Sequence, residues 1–238
     1  MGQSMTLGRS VGQALIERLP ATIGLALVAF AMTLVLGLGA GILAAIRQNT
    51  WIDQLIMTLA VIGVSVPSFW LGMLVILSLL SFFNWLPPIT FTPIYEDPLR
   101  NLSQLIWPAM AVGYRYSAVV ARMVRSSLLE VMREDYIRTA RAKGVYERLV
   151  VVRHAMRNAL LPAITLIGLE FAFLIGGLVV TEQVFNLNGI GRLFVQTVSR
   201  NDFTLIQALV MLVACTFFVV NLVVDLLYAL FDPRIRYR

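Results

Sequence analysis

An uninterrupted run of uncharged, mostly apolar residues at positions 19–46 restricts the fold of this chain more than any other feature. A bilayer core of about 30 Å requires roughly 20 apolar residues in a helix, and a helix over this run would be about 40 Å long. Only 13% of the chain is charged, whereas an average soluble domain has about 25%. The sequence therefore predicts an all-α integral membrane protein.

Five apolar segments of sufficient length predict five transmembrane helices. Pro67 interrupts the second segment and should kink its helix, because proline lacks a backbone donor. Residues 84–103 are rich in proline and are expected to form an irregular loop. Residues 181–202 are expected to form another loop, with Gly189 and Gly191 at turn positions. The spans are predicted at residues 19–46, 54–83, 105–121, 160–180 and 203–231.

The distribution of basic residues predicts the orientation. Nine of the nineteen lysines and arginines fall in residues 122–159, and three fall in the tail at 232–238. By the positive-inside rule both segments are cytoplasmic, and the loops at 84–103 and 181–202 lie outside. A nucleic-acid-binding protein would need a basic face interleaved with exposed aromatic residues, and the sequence shows none.

Residues 1–18 form an N-terminal segment in which Ser10 and Gln13 have the spacing of a capping box. This spacing predicts a short amphipathic helix before the first span. Counting spans backwards from the cytoplasmic segment places residues 1–18 outside the membrane. A bacterial membrane protein without a signal peptide more often starts inside, so we expect that one span precedes Met1. A five-span protein with an external N-terminus is the alternative.

Residues that would support catalysis or metal binding are scarce. His154 and Cys215 are the only histidine and cysteine, which leaves too few ligands for a zinc site and no Cys/His nucleophile system. Lys143 is the only lysine and is followed by Gly144, so the chain lacks a P-loop for ATP. We therefore expect no catalytic residue, metal ion or cofactor in this chain.

Residues 134–162 form the most strongly charged segment of the chain. Helical spacing before Gly144, and the left-handed turn that glycine permits there, predict two short helices that project from the cytoplasmic side. Glu134 and Arg138 have the i,i+4 spacing of an ion pair on the first helix. The second helix is expected at residues 145–160. The projection is either a solvated hairpin or a docking element for a cytoplasmic partner, and periodicity does not decide between them.

Motifs in this segment and elsewhere resemble those of one family. YIRTARAKG at 136–144 and RHAMRNALLP at 153–162 are similar to the cytoplasmic loop of binding-protein-dependent ABC transporter permeases of the dipeptide and oligopeptide class. The family's general Glu-Ala-Ala pattern reads Arg138, Thr139 and Ala140 here, a departure that the peptide branch tolerates. Further motifs extend the resemblance over nearly the whole chain: RLPATIGLAL at 18–27, NWLPP at 84–88, EQVFNLNGIGRL at 182–193 and YALFDPRIRY at 228–237.

The resemblance implies a type I ABC importer permease fold and a set of partners. These are a second homologous permease, two ATP-binding subunits that bind ATP and Mg, an external or periplasmic solute-binding protein, and membrane lipid. The family usually has an additional N-terminal span, which agrees with the orientation argument. The residues implied to contact the ATPase are Tyr136, Arg138, Thr139, Ala140, Arg141, Lys143 and Gly144. The residues implied to face the binding protein are Asn186, Asn188, Gly189, Gly191 and Arg192.

Three ionisable residues lie inside the predicted spans. Because a charge in hydrocarbon is costly, Arg115 and Glu170 are candidates for the translocation path, where Glu170 would contact a peptide amine or Arg115. The alternative is a buried structural pair. Asp225 lies near the cytoplasmic edge and is interpreted as an end group at the interface.

These observations predict a multi-pass permease subunit of an ABC importer in the bacterial inner membrane, which moves dipeptides, oligopeptides or a related small solute. The alternative is a self-sufficient channel or secondary transporter, which would have inverted repeats and discontinuous helices. No convincing repeat is visible in the sequence. A membrane scaffold without transport would leave the intramembrane charges unexplained.

Overall fold

The computed structural model describes residues 2–4, 8–88 and 91–231, with side chains for all of these except 225 and 227–231. Within these residues the regular secondary structure is helical, apart from one isolated bridge between Gln3 and Ser10. The predicted cytoplasmic tail at 232–238 and the side chain of Asp225 lie outside the described part. The helices are α1 Val11–Ile46, α2 Trp51–Ser65, α3 Ser68–Phe83, α4 Pro98–Val131, α5 Asp135–Ala142, α6 Glu147–Leu149, α7 Met156–Val184, α8 Ile190–Ser199 and α9 Phe203–Phe231, with a π-helical segment Val150–Ala155 before α7.

Three stretches of the described chain are long and apolar enough to cross a membrane: α1, Glu147–Val184 and the Phe203–Val224 part of α9. The predicted second span is two helices rather than one kinked helix, because α2 ends just before Val66 and Pro67. Counted as one broken span, α2 and α3 bring the number to four. The predicted third span lies inside the longer α4, whose several arginines lower its mean hydropathy. By length and composition the structure therefore supports three or four spans, and a crossing by α4 stays a prediction.

Helix α1 begins where the capping-box pattern predicts. Ser10 precedes it, and the Ser10 Oγ accepts a hydrogen bond of 3.2 Å from the backbone N–H of Gln13. The helix then passes Pro20 without a break and continues to its last residue at position 46. The short N-terminal helix and the first span, which the sequence separated at Pro20, are thus one helix. Proline at this position removes one intrahelical hydrogen bond without ending the helix.

The chain divides into two units, of which unit 1 comprises residues 1–32, 66–114 and 171–219. Its core packs the first turns of α1 against α8 and the beginning of α9. Buried residues at helical spacing form this contact, namely Val11, Ala14, Leu15, Ile190, Leu193, Leu205 and Leu209. Ser4 adds a polar contact, since its hydroxyl donates to the buried carboxylate of Asp202 at 2.6 Å. The N-terminal segment is therefore an integral part of unit 1.

Unit 2 comprises residues 33–65, 115–170 and 220–238. Its core lies where the end of α4, helix α5 and the π-helical segment meet. Ile137 is the residue through which α5 joins this core, and it is fully buried. The other buried members are Ala45, Leu128, Val150, Val151, Ala155 and Ala159. Helix α5 is thus anchored to the unit through Ile137, whereas α6 buries none of its three residues.

Glycine lets α1 and α4 approach closely within unit 2. A Cβ added at Gly41 would lie 2.7 Å from the carbonyl oxygen of Ala121 and 2.8 Å from the Cβ of Val124, whereas one added at Gly39 would meet nothing within 4 Å. We expect Gly41→Ala to destabilise the protein by about 1–2 kcal/mol, because overpacking outweighs the better helix propensity of alanine. Gly39→Ala should be neutral, or stabilising by up to about 1 kcal/mol. Unfolding of both variants in detergent, followed by helical circular dichroism, measures the difference, and equal effects would contradict this packing.

Candidate functional site

The coupling segment, defined here as residues 135–147, presents most of the predicted ATPase-contacting residues at the surface. Helix α5 buries Ile137, and this fixes which face of the helix points away from the unit. Ala140, also predicted to contact the ATPase, is half-buried and packs against the same core. The remaining predicted residues are exposed, namely Tyr136, Arg138, Thr139, Arg141, Lys143 and Gly144.

Gly144 ends α5 in the conformation that the sequence predicts. Its φ is +78°, in the left-handed region that favours glycine. The Gly144 N–H donates to the carbonyl of Arg141 at 2.9 Å, and the Val145 N–H donates to the carbonyl of Ala140 at 3.3 Å. This pair of hydrogen bonds is a Schellman motif, which satisfies carbonyls that a helix end otherwise leaves open. The prediction of a left-handed position at Gly144 is confirmed.

The ion pairs of the coupling segment differ from the predicted one. Arg138 pairs with Asp135 at 3.4 Å instead of with Glu134, and both partners are so exposed that the pair contributes little to stability. Arg141 makes a bidentate contact with Glu147 across the turn, with Nε–Oε2 at 3.0 Å and Nη2–Oε1 at 2.7 Å. The hydrogen bonds to this carboxylate raise the pKa of the Arg141 guanidinium. Arg141 therefore stabilises the turn, and this role was not predicted from the sequence.

The second helix expected at residues 145–160 is divided into α6, the π-helical segment and the first turn of α7. Several aromatic and apolar side chains are exposed in the coupling segment and just after it. Tyr146 is 81% exposed, and Tyr136, Leu149 and Val152 are also exposed. Aromatic residues and arginine are enriched in protein interfaces. The surface thus has the composition of a docking face.

A partly buried ion pair lies next to the coupling segment in unit 2. Arg125 of α4 donates from Nε and Nη2 to the two carboxylate oxygens of Asp53, at 2.6 and 2.7 Å. The backbone N–H of Asn49 donates to the same carboxylate at 3.0 Å. The pair joins the beginning of α2 to the end of α4, and Arg125 also lines an open recess of about 510 Å³ that reaches Asp135 of the coupling segment. Neither Asp53 nor Arg125 was singled out from the sequence, because their separation of 72 residues leaves no local pattern.

The predicted binding-protein-facing residues lie around the loop between α7 and α8 in unit 1. Asn188 is exposed, and Arg192 is half-buried with its Nη1 donating to the carbonyl of Asn186 at 3.1 Å. Asn186 takes the left-handed conformation, with φ of 54°, whereas Gly189 has an extended backbone with φ of −99°. The prediction of a turn conformation at Gly189 is therefore wrong. Residues 190–199, predicted as loop, form the amphipathic helix α8.

A buried carboxylate explains the first of the two glycines, since a Cβ at Gly189 would overlap the carboxylate of Glu182. A Cβ at Gly191 would meet the backbone of α7 first, at 2.5 Å from the Cα of Val179, and would lie 3.1 Å from Glu182 Oε2. Glu182 is fully buried and accepts a hydrogen bond from the hydroxyl of Thr22 in α1. Glu182 belongs to one of the motifs noted in the sequence, but its role depends on Thr22, 160 positions earlier, and on contacts that only the fold brings together.

The two candidate path residues of unit 2 do not form a direct ion pair. Arg115 is exposed, and its guanidinium carbon lies 5.9 Å from the centroid of the Tyr116 ring. Glu170 is half-buried and lies within electrostatic range of Arg115, but none of the ion pairs within 4.0 Å among the described residues joins the two. Among the described residues, no group of three His, Cys, Asp or Glu side chains is arranged to hold a metal ion.

Comparison with known families gives a match over most of the chain. Residues 37–237 match the family described as "Binding-protein-dependent transport system inner membrane component". The chain belongs to this family. The resemblance that the sequence motifs indicated is thus confirmed, and the chain is an inner-membrane permease component of a transport system.

Similar proteins agree with this assignment. A putative peptide transport system permease protein of Brucella abortus (strain 2308) is 45% identical over 100% of this chain and 76% of its own length. The glutathione transport system permease protein GsiC of Escherichia coli (strain K12) is 42% identical over 100% of this chain and 75% of its own length. Both comparisons extend over the coupling segment and the loop between α7 and α8.

Two solved structures of ABC transporters share this fold. An inward-facing structure of the MetNI methionine ABC transporter superposes with a TM-score of 0.75 at 17% identity, covering 92% of this chain and 97% of that chain. An amino acid ABC transporter superposes with a TM-score of 0.65 at 19% identity, covering 94% and 95%. The predicted fold class, an all-α membrane protein of the ABC importer permease type, is confirmed.

Proposed function

We propose that this chain is the transmembrane subunit of an ABC importer that moves dipeptides, oligopeptides or a related small solute across the bacterial inner membrane. Membership of the binding-protein-dependent family carries this proposal. The names of the relatives, which transport peptides or glutathione, support a peptide-like substrate. Glutathione is itself a small peptide, so both names point to the same class of solute.

The proposed assembly contains partners that supply energy and substrate. It has a second homologous permease, two ATP-binding subunits and an external or periplasmic solute-binding protein, all within membrane lipid. ATP and Mg are bound by the ATP-binding subunits, and this chain performs no chemistry itself. The exposed face of the coupling segment, with Tyr136, Tyr146 and several arginines, supports its role as the contact with an ATP-binding subunit.

The proposed orientation places the coupling segment and the C-terminus in the cytoplasm. Within unit 2, the Asp53–Arg125 pair brings the connection between α1 and α2 to the same end as the coupling segment. Within unit 1, the contacts of Ser4 with Asp202 and of Thr22 with Glu182 bring the N-terminal segment to the loops around α8. Both sets of contacts support the orientation that the positive-inside rule predicts.

Transport in this proposal occurs by alternating access, and the energy comes from ATP hydrolysis in the partner subunits. Closure of the ATP-binding subunits moves the coupling segment, and the helices packed on it rotate with it. The break between α2 and α3 is a feature that a secondary transporter would share, but the family assignment favours the ABC importer. Arg115 and Glu170 are proposed to line the path along which the solute moves.

Reconstitution of the complete transporter in proteoliposomes tests this function. Uptake of a labelled dipeptide should require the binding protein outside and ATP with Mg at the side of the ATP-binding subunits. Glu170→Gln should change the apparent KM for uptake, because removal of a carboxylate alters the solute path. Uptake that proceeds on an ion gradient alone, without ATP or binding protein, would support the secondary transporter instead. Unchanged kinetics and substrate selection in Glu170→Gln would remove that residue from the path.

A further inference from the structure

The carboxylate of Glu182 holds three helices of unit 1 at one point. Glu182 lies near the end of α7 and has no exposed surface. The Thr22 hydroxyl of α1 donates to its Oε1 at 2.6 Å, and the Arg192 N–H of α8 donates to its Oε2 at 3.0 Å. The Gly191 N–H is a further donor to the same carboxylate. The Thr22 hydroxyl also accepts a hydrogen bond from the Ile190 N–H at 2.8 Å, so the first turn of α8 is tied to both α1 and α7.

These contacts suit a carboxylate, because donors point at both of its oxygens. Gly189 is the N-cap of α8 but has no side chain to offer, so the first N–H groups of the helix need an acceptor from elsewhere. Glu182 supplies two acceptor oxygens and a negative charge at the positive end of the helix dipole. A glutamine would keep the size but would lose the negative charge and one of the two acceptor oxygens.

The same carboxylate determines the course of the loop that precedes α8. Gly189 packs so closely on Glu182 that a Cβ there would overlap the carboxylate. Leu187 is buried on the other side of Asn188, with 3% exposure. Asn188 is therefore an exposed residue held between two buried neighbours. Its position depends on Glu182 through the packing of the neighbouring Gly189 on the carboxylate.

We propose that Glu182 is a positioning residue for docking of the solute-binding protein, because it fixes the exposed Asn188 edge of the loop between α7 and α8. This inference rests on the proposed function, in which that loop faces the binding protein. Thr22 is the second member of the arrangement, since its hydroxyl links Glu182 to the backbone of Ile190. The docking edge is consequently set from inside unit 1 by residues that the binding protein does not contact.

Glu182→Gln in the complete transporter tests the proposal through ATP hydrolysis measured against binding-protein concentration. We expect the half-saturating concentration to rise by about tenfold or more, the factor that loss of a charge-assisted hydrogen bond produces. The maximal rate at saturating binding protein should change by less than about twofold. Thr22→Val should act in the same direction, and Thr22→Ser should restore the native value. The control is Glu17→Gln, which removes an exposed carboxylate of α1 that pairs with Arg9.

The outcomes separate this proposal from the proposed function. A Glu182→Gln variant with an unchanged half-saturating concentration overturns the positioning role. A fall in maximal rate and in assembled complex, at unchanged half-saturation, overturns it too, because that result indicates a purely structural residue. Asn188→Lys provides the reference: if it weakens docking while Glu182→Gln does not, the loop still docks the binding protein and only the positioning role fails. If neither ATP hydrolysis nor solute uptake depends on the binding protein, the proposed function itself fails.

Discussion

Gly144→Val should abolish co-purification of the ATP-binding subunit with this chain and should reduce peptide uptake to background. The Gly144 φ of +78° lies in a region that costs an L-residue about 1–2 kcal/mol, and the cost is higher for a β-branched side chain. A Cβ at this position would meet no heavy atom within 4 Å, so the effect arises from the backbone and not from a clash. Loss of the left-handed turn would break the hydrogen bond from the Val145 N–H to the carbonyl of Ala140. It would also separate Arg141 from Glu147 and so break their ion pair.

The matched control is Gly144→Asn. Asparagine tolerates the left-handed region far better than valine, and the chain already has asparagine there at positions 49, 84, 186 and 201. This variant should retain most of the bound ATP-binding subunit and most of the uptake. Pull-down of the tagged chain, with the ATP-binding subunit quantified per permease, measures both variants. If Gly144→Val binds as much ATP-binding subunit as the native chain, the turn is not a determinant of docking.

The coupling segment shows which local features can be predicted from the sequence alone. The helical spacing before Gly144 and the glycine itself were sufficient to predict a helix that ends in a left-handed turn, since both are local properties. The bidentate Arg141–Glu147 contact was not predicted, because its geometry depends on how the chain leaves the turn. For the same reason the pair expected between Glu134 and Arg138 is replaced by Asp135–Arg138, which fits the actual beginning of α5.

The spans show a different limit of sequence reasoning. Apolar runs predicted where most of the long helices lie, because burial in lipid depends on composition. Pro67 was expected to kink one helix, but whether a proline bends a helix or ends it depends on what accepts the freed hydrogen-bonding groups nearby. Helix α4 extends beyond the apolar stretch at 105–121 in both directions, and an average over that stretch does not show its length.

Long-range polar contacts are the part of the site that could not be predicted from the sequence. Gly189 and Gly191 can be recognised in the sequence, but the contacts that require glycine there, with the carboxylate of Glu182 and with the backbone of Val179, cannot. A buried carboxylate requires specific donors, and those donors come from α1 and α8 as well as from α7. Such a requirement becomes visible only when the helices are packed together.

Asp53→Ala should destabilise unit 2 by about 3 kcal/mol, because it leaves Arg125 without its bidentate partner. Breaking a buried ion pair by removal of one side costs roughly 3–5 kcal/mol, and the lower end applies because a quarter of the Arg125 side chain is exposed. The Asn49 N–H, which caps the carboxylate in the native protein, would lose its acceptor as well. Thermal unfolding in detergent and the yield of assembled transporter measure the loss.

A double-mutant cycle separates the ion pair from the effect of each truncation. Asp53→Ala combined with Arg125→Met should recover at least about 2 kcal/mol relative to the sum of the single variants, because no unpaired charge remains buried. Arg122→Met is the control, since Arg122 is exposed one turn earlier in α4 and its loss should stay within about 0.5 kcal/mol. Additive single effects would contradict the pairing.

The double variant should also transport less peptide per ATP hydrolysed than the native protein, even where its stability is restored. The reason is the position of the pair, since Asp53 lies at the beginning of α2 and Arg125 precedes the coupling segment.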